Sequence, residues 1–224
     1  MIKLIVNKKS VNLHEVLTIP QWQAIAQFDI EVPETWINII ATATDHDIDL
    51  LRLMDFEERR LAVTAISTSL LMRQQVPLPQ FEKMTFGQFV DTEYYLAQGV
   101  QRSINNIIET MQFEVETAPQ ALWSIEQYIK WRSNLYKRYG QLFNSEDIDE
   151  VDPTAESKWT AEHIAKSWYR IMVDLCNDNL LDIDLLTDKS VYSVLNFMSV
   201  RKEKQQEQLK KDKQRLNELQ RNRR

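Results

Sequence analysis

A mostly α-helical fold, a multi-helix bundle with a small N-terminal β-hairpin and a long C-terminal helix, is what this sequence predicts. Three observations carry the prediction. Apolar residues recur every three, four and seven positions along most of the chain, a period that only an α-helix turns to one side. Four capping boxes mark helix starts: Thr18 with Gln21, Asp55 with Glu58, Thr85 with Gln88 and Thr117 with Gln120. In each, side chain and backbone satisfy one another's orphan donors. Glycine occurs only three times in 224 residues, against a usual share of about 7%, so tight turns are few and long helices are favoured over sheets.

In chain order, Met1 to Leu13 alternates around Asn7-Lys8-Lys9, with Ile2, Leu4 and Val6 before the turn and Val11 and Leu13 after it. That pattern predicts a hairpin, the only appreciable sheet. Thr18, Gln21 and a first-turn Pro20 open a short helix to Phe28 that buries Trp22, Ile25 and Ala26, and Pro33 ends the unit. Glu34 to Thr44 reads as a second short helix and Asp47 to Leu53 as a further turn or two. Asp55 and Glu58 then cap a longer helix running to Gln74.

The stretch from Thr85 to Met111 reads as one central helix. Its stripe is Phe86, Phe89, Val90, Leu96, Val100, Ile104, Ile107, Ile108 and Met111. Ile104 and Ile107 are expected to be buried under the Asp55 to Gln74 helix. A helix opened by Thr117, Pro119 and Gln120 carries Leu122, Trp123, Tyr128, Trp131, Leu135 and Tyr139, and Gly140 is placed as its C′ stop. Gln141 to Ser157, the most acidic and least periodic segment, reads as an exposed loop. A helix from Ala155 to Asn177, a connection over Asp178 to Thr187 and a last long helix from Asp188 complete the chain. The implied organisation is a hairpin-plus-helical domain over 1–140, an acidic loop over 141–157, a helical pair over 158–199 and a basic helical tail over 200–224.

Hydrophobic content of 43% over this length supports a real core without staples. One cysteine, Cys176, excludes an internal disulfide and fits a reducing compartment. The apolar N-terminal run is too short for a signal peptide, and no run approaches the 18 apolar residues or so of a membrane span, so no membrane partner is expected. Net charge is −6, but residues 201–224 hold ten Lys or Arg against four Asp or Glu, a balance of +6 that leaves −12 on the first 200 residues. An acidic body and a basic tail should have different partners.

Few constellations point to chemistry. Asp45, Asp47 and Asp49 repeat the alternation of a calcium loop, but Leu50 replaces its glycine and Phe56 its bidentate acid, so a dipole-favoured cluster at a helix start is the better reading. His14, His46 and His163 share no ligand spacing. Cys176 has no Cys-x-x-Cys partner and no nearby base, which makes it a buried small hydrophobe. The aromatics Trp123, Tyr128, Trp131, Tyr136, Tyr139, Trp159, Trp168 and Tyr169 lie among Lys130, Arg132, Lys137 and Arg138 and could stack on single-stranded nucleic acid. The acidic body favours core and interface packing instead, leaving nucleic acid disfavoured except through the basic tail. No nucleophile, general base or phosphate-binding loop is found, so the expected sets of catalytic, cofactor-binding and metal residues are empty.

The tail carries the partner-binding expectation. Leu209, Leu216 and Leu219 are its only apolar residues beyond Val200, half of a heptad seam, with Lys210, Lys211 and Arg215 beside them. A helix over Val200 to Arg224 would reach on the order of 37 Å, enough to cross from one subunit to the next.

After a short hairpin come Leu17-Thr18-Ile19-Pro20-Gln21-Trp22, then Trp36-Ile37-Asn38-Ile39-Ile40 with Asp49-Leu50-Leu51-Arg52-Leu53, then Met84-Thr85-Phe86-Gly87-Gln88-Phe89-Val90-Asp91. In this order they resemble small helical, tail-assembly-chaperone-like proteins of tailed bacteriophages, over about residues 1–112. The resemblance implies a non-enzymatic phage morphogenesis protein that binds other phage structural proteins through helical surfaces, with no cofactor, in the host cytoplasm during assembly. The alternative is a permanent virion component, either a connector-ring subunit, which would be a homo-oligomer, or an internal packaged protein. Past Gln112 the chain departs from that pattern, and the basic tail is not part of it.

Overall fold

The computed structural model describes residues 2–6, 9–13, 16–44, 46, 48–143 and 160–221. Helices dominate it, as the capping boxes and the scarcity of glycine predict. The chain divides into two compact units, neither continuous in sequence: Met1–Pro79 with Gln98–Tyr128, and Gln80–Ala97 with Ile129–Arg224. This differs from a division at the acidic segment. Residues 144–159, which hold most of that segment and the expected start of the following helix, lie outside the described residues, and Gln141 to Phe143 is helical.

In the first unit, β1 (Ile2–Val6) and β2 (Lys9–Leu13) pair antiparallel, with Ile2 opposite Leu13 and Leu4 opposite Val11. The expected turn residues Asn7 and Lys8 lie outside the described residues. Val11 and Leu13 are buried and open the core. Helices α1 (Ile19–Ile25), α2 (Trp36–Thr44), α3 (Ile48–Leu51) and α4 (Phe56–Leu71) follow, with a 3-10 turn at Pro33–Thr35 leading into α2. The boxes at Thr18 and Asp55 are both closed in full: Thr18 accepts from the Gln21 N–H and Asp55 from the Glu58 N–H, and each partner side chain returns the bond. One cluster joins Leu17, Ile25, Ile39, Ile40, Leu51 and Ile66, and α4 packs chiefly on α2.

The stripe from Thr85 to Met111 is two helices rather than one, α5 (Phe86–Ala97) and α6 (Val100–Met111). Gly99 separates them with φ 96° and ψ 133°, a backbone that side-chain-bearing residues avoid. A Cβ there would meet nothing within 4 Å, so the glycine supplies conformation and not space. The break also divides the stripe: Phe86 and Phe89 belong to the second unit, whereas Ile104 and Ile107, both fully buried, belong to the first.

Helix α7 (Ala118–Arg138) gives its start to the first unit and its end to the second. Its start is tied down by the Ala118 N–H donating to the Leu17 carbonyl at 3.0 Å. Only half of the expected box is present here. Gln120 Oε1 accepts from the Glu116 and Thr117 N–H groups, but Thr117 Oγ1 is buried with no hydrogen-bond partner. Gly140 is not a left-handed stop: it begins α8 (Gly140–Phe143), and Gly99 is the glycine with positive φ among the described residues.

The second unit adds α9 (Ala161–Leu175), α10 (Leu180–Thr187) and α11 (Val191–Arg221). Segment 178–187, expected as a connection, is mostly helix α10. Asn179 caps it through the Leu181 N–H at 3.2 Å, and its apolar residues point all round, so no helical period marks it. Gly87 lets α5 approach α10, since a Cβ there would lie 3.1 Å from Thr187 Cβ. The start of α5 is pinned to the start of α11: the Phe86 N–H donates to the Lys189 carbonyl at 2.7 Å and the Val191 N–H to the Met84 carbonyl at 3.1 Å. Phe86 and Phe89 each meet Trp168 edge-on, at 5.7 and 5.4 Å between centroids.

Candidate partner-binding surface

Several of the aromatic residues considered as stacking platforms are committed to the fold. Tyr128 and Tyr139 are buried, and Trp131 Nε1 donates to Tyr192 Oη at 3.2 Å. Two of the bases among them, Arg132 and Arg138, are engaged as well, whereas Lys130 and Lys137 are exposed. Arg132 donates from Nη1 to Glu93 at 3.3 Å and lies over the Tyr136 ring, while Arg138 lies over Tyr139 and Tyr192. Tyr136 Oη donates to Glu93 at 2.6 Å, which places a carboxylate only 6% exposed in the middle of the second unit. Burial, reinforced by that carboxylate, holds the Tyr136 phenol far above its usual pKa. This network joins α5 to α7 within the second unit. Trp159 lies outside the described residues.

The other sequence candidates scatter. His163 shares an N-terminal cap with Thr160, 2.9 Å from its hydroxyl, and Asp49 pairs with Arg52 at 3.0 Å on the surface. His14, Asp45 and Asp47 lie outside the described residues. Cys176 is buried at the end of α9, where burial first and Asp182 second raise its pKa, keeping the thiol protonated and a poor nucleophile.

The expected partner-binding residues lie on α11, which changes character along its length. Val191, Val194 and Leu195 are buried, Tyr139 Oη donates to Asn196 Oδ1 at 2.7 Å, and Arg201 donates to the Asp174 carbonyl at 2.9 Å. Beyond Lys202 the helix is exposed through Glu218. Leu209 and Leu216 are 60% and 58% exposed, and Lys210, Lys211 and Arg215 are exposed with them. Leu209 and Leu216 lie fourteen and twenty-one residues beyond Leu195, with Lys202 at the intervening heptad position, so the seam that packs α11 onto its unit resumes in the arm with its phase shifted by a fraction of a turn. Lys213, one turn past Leu209, joins that face. Leu219 continues the helix, but its side chain lies outside what is described.

A second surface is not marked in the sequence. On α10, Leu180, Leu181 and Leu185 are 69%, 79% and 62% exposed, and on α11 Phe197 and Val200 are 57% and 49% exposed. Between the two helices lies a groove of about 360 Å³, floored by Leu175 and Cys176 and walled by Leu185, Leu186, Val194 and Phe197. Asp182 and Lys189 are the charged residues that line it. Exposed apolar residues grouped in this way are the kind of patch found at interaction surfaces and ligand-binding grooves. The available signal was the Asn179-x-x-Asp182 cap ahead of an uninterrupted Leu-rich octet.

A larger cleft of about 550 Å³ lies along α5 and α9, with Tyr94, Tyr169, Asp91, Glu162, Lys166 and Arg170 on its walls. Lys166 and Glu162 pair within one helix at 2.8 Å, so much of the charge there is locally balanced. No helix among the described residues is long and apolar enough to cross a membrane. Comparison with protein-family models, curated proteins and solved structures finds no match for this chain.

Proposed function

We propose that this chain is a non-enzymatic morphogenesis protein of a tailed bacteriophage, tail-assembly-chaperone-like, which binds other phage structural proteins through helical surfaces. The phage setting rests on the resemblance over residues 1–112. The binding role is supported chiefly by one observation: a cluster of exposed apolar side chains on α10 and α11 that leads into an exposed basic arm. A transient factor of this kind acts in the host cytoplasm, holds no cofactor, and exchanges its helical surfaces for those of the finished particle.

A second reading is a permanent virion component, such as a connector-ring subunit or an internal packaged protein. What favours it is the arm, whose continuous helix would reach from one subunit to the next. Quantitative mass analysis of purified particles separates the two. An assembly factor is present in infected-cell lysate and missing from particles, whereas a component is retained at fixed stoichiometry. Absence of any co-purifying phage protein from a lysate in which particles assemble would overturn both.

A further inference from the structure

The two exposed surfaces of the second unit match one another in chemistry. Asp174 and Arg201 already pair with one another at 3.2 Å. Beyond them, segment 178–190, which holds α10 and its flanks, carries four aspartates against Lys189 alone, whereas residues 202–224 carry nine Lys or Arg against four Asp or Glu, a balance of +5. Within α10, Asp184 and Asp182 flank the exposed Leu181–Leu185 ridge on either side, so apolar contact would be framed by acid. On the arm, Lys213 and Asp212 border the Leu209–Leu216 face on either side with Arg215 beyond Asp212, so the excess of base belongs to the arm as a whole.

The arm cannot fill the groove of its own chain. Helix α11 runs without interruption from Val191 to Arg221. At 1.5 Å per residue, Leu209 and Leu216 therefore stand about 18 and 28 Å along the axis from Phe197, which lines the groove. We infer that the arm of one copy seats its Leu209–Leu216 face on the α10–α11 groove of a second copy, head to tail. The inference goes beyond the proposed function and does not depend on it. Such a contact is heterologous: it closes into a ring if the rotation between copies permits and otherwise continues as a filament. Attraction between acidic and basic surfaces strengthens it at low salt and weakens it when salt shortens the screening length.

Complementation between two full-length variants tests this. Leu181→Lys with Leu185→Lys blocks the groove, and Leu209→Glu with Leu216→Glu blocks the arm. All four side chains are more than half exposed, so the changes spare the core, and unchanged helical circular dichroism checks this. Sedimentation velocity of the parent should show mass rising with concentration, and each variant alone should associate at least about tenfold more weakly. An equimolar mixture should form dimers and nothing larger, because it holds one working groove and one working arm per pair. A monomeric parent at hundreds of micromolar overturns the inference. So does a groove variant that assembles like the parent, the result expected if arms pair with arms, or a mixture that stays monomeric, the result expected if the groove takes an unrelated protein.

Discussion

The two units reach stability by different chemistry. The buried cluster of the hairpin and α1 to α4 is aliphatic apart from Trp36 and Met54, with Trp22 and Phe28 packed against it half-buried, and its helices close on one another mainly through Ile, Leu, Val and Ala. The second unit is held by rings: Phe86, Phe89, Trp131, Tyr136 and Trp168 meet edge-on, and Glu93 sits among them on Arg132 and Tyr136. Aliphatic packing is non-directional and tolerant of small shifts, whereas edge-on rings and a buried carboxylate demand particular geometry. The difference teaches that a helical stripe guarantees burial but not the kind of core it enters. Phe89 and Ile104 lie on one apparent stripe and enter two unlike cores.

Four experiments would break or sharpen the contrast. The largest effect is expected from Phe89→Ala, which removes a fully buried ring that meets four aromatic neighbours and should cost about 3–5 kcal/mol in chemical unfolding. A cost below about 1 kcal/mol would mean the rings merely fill space. Ile104→Ala in the first unit should cost somewhat less, about 2–4 kcal/mol, and an unchanged midpoint would show that the α6 stripe is not core.

Gly99→Ala should cost about 1–3 kcal/mol by forcing a side chain into a backbone region that penalises it. Since no atom crowds the site, Gly99→Ser should cost a similar amount, and a neutral alanine would imply that the α5–α6 junction can relax.

The smallest effect is confined to alkaline solution. Tyr136 keeps its proton in the fold through burial and the adjacent Glu93 carboxylate, whereas in the unfolded chain it ionises near pH 10. A group whose folded pKa is raised contributes stability that is fully present below the unfolded value and is lost as pH rises past it. Denaturation midpoints of the parent should therefore fall above about pH 10, and those of Tyr136→Phe should fall less. Parallel decline of the two would place the alkaline sensitivity elsewhere.

Much of this was legible because it is local. The boxes at Thr18, Asp55 and Thr85 rest on side chains three residues from the backbone they cap, and each forms as read. The hairpin followed from alternation around a short turn, although Lys9, read as part of that turn, begins β2 opposite Val6. The helical arm followed from a run of Lys, Glu and Gln, good helix formers needing no partner to set their backbone. Other features were hidden for equally physical reasons. Helix α10 lacks the period that advertises a helix, because leucines surround it. Gly99 sits inside an unbroken apolar stripe, and only its dihedral angles show that the stripe ends there and begins again.

By itself, then, the sequence determined the helical class, most caps, the hairpin and an arm with exposed leucines, since each depends on hydrogen bonds and side-chain spacings within a few residues. Tertiary structure alone decided which stripe enters which core, that α5 and α6 belong to different units, and that α9, α10 and α11 leave an apolar groove between them, with Asp182 and Lys189 as its charged lining. Those outcomes depend on contacts between residues tens of positions apart, and no local period encodes which distant surface a helix will meet.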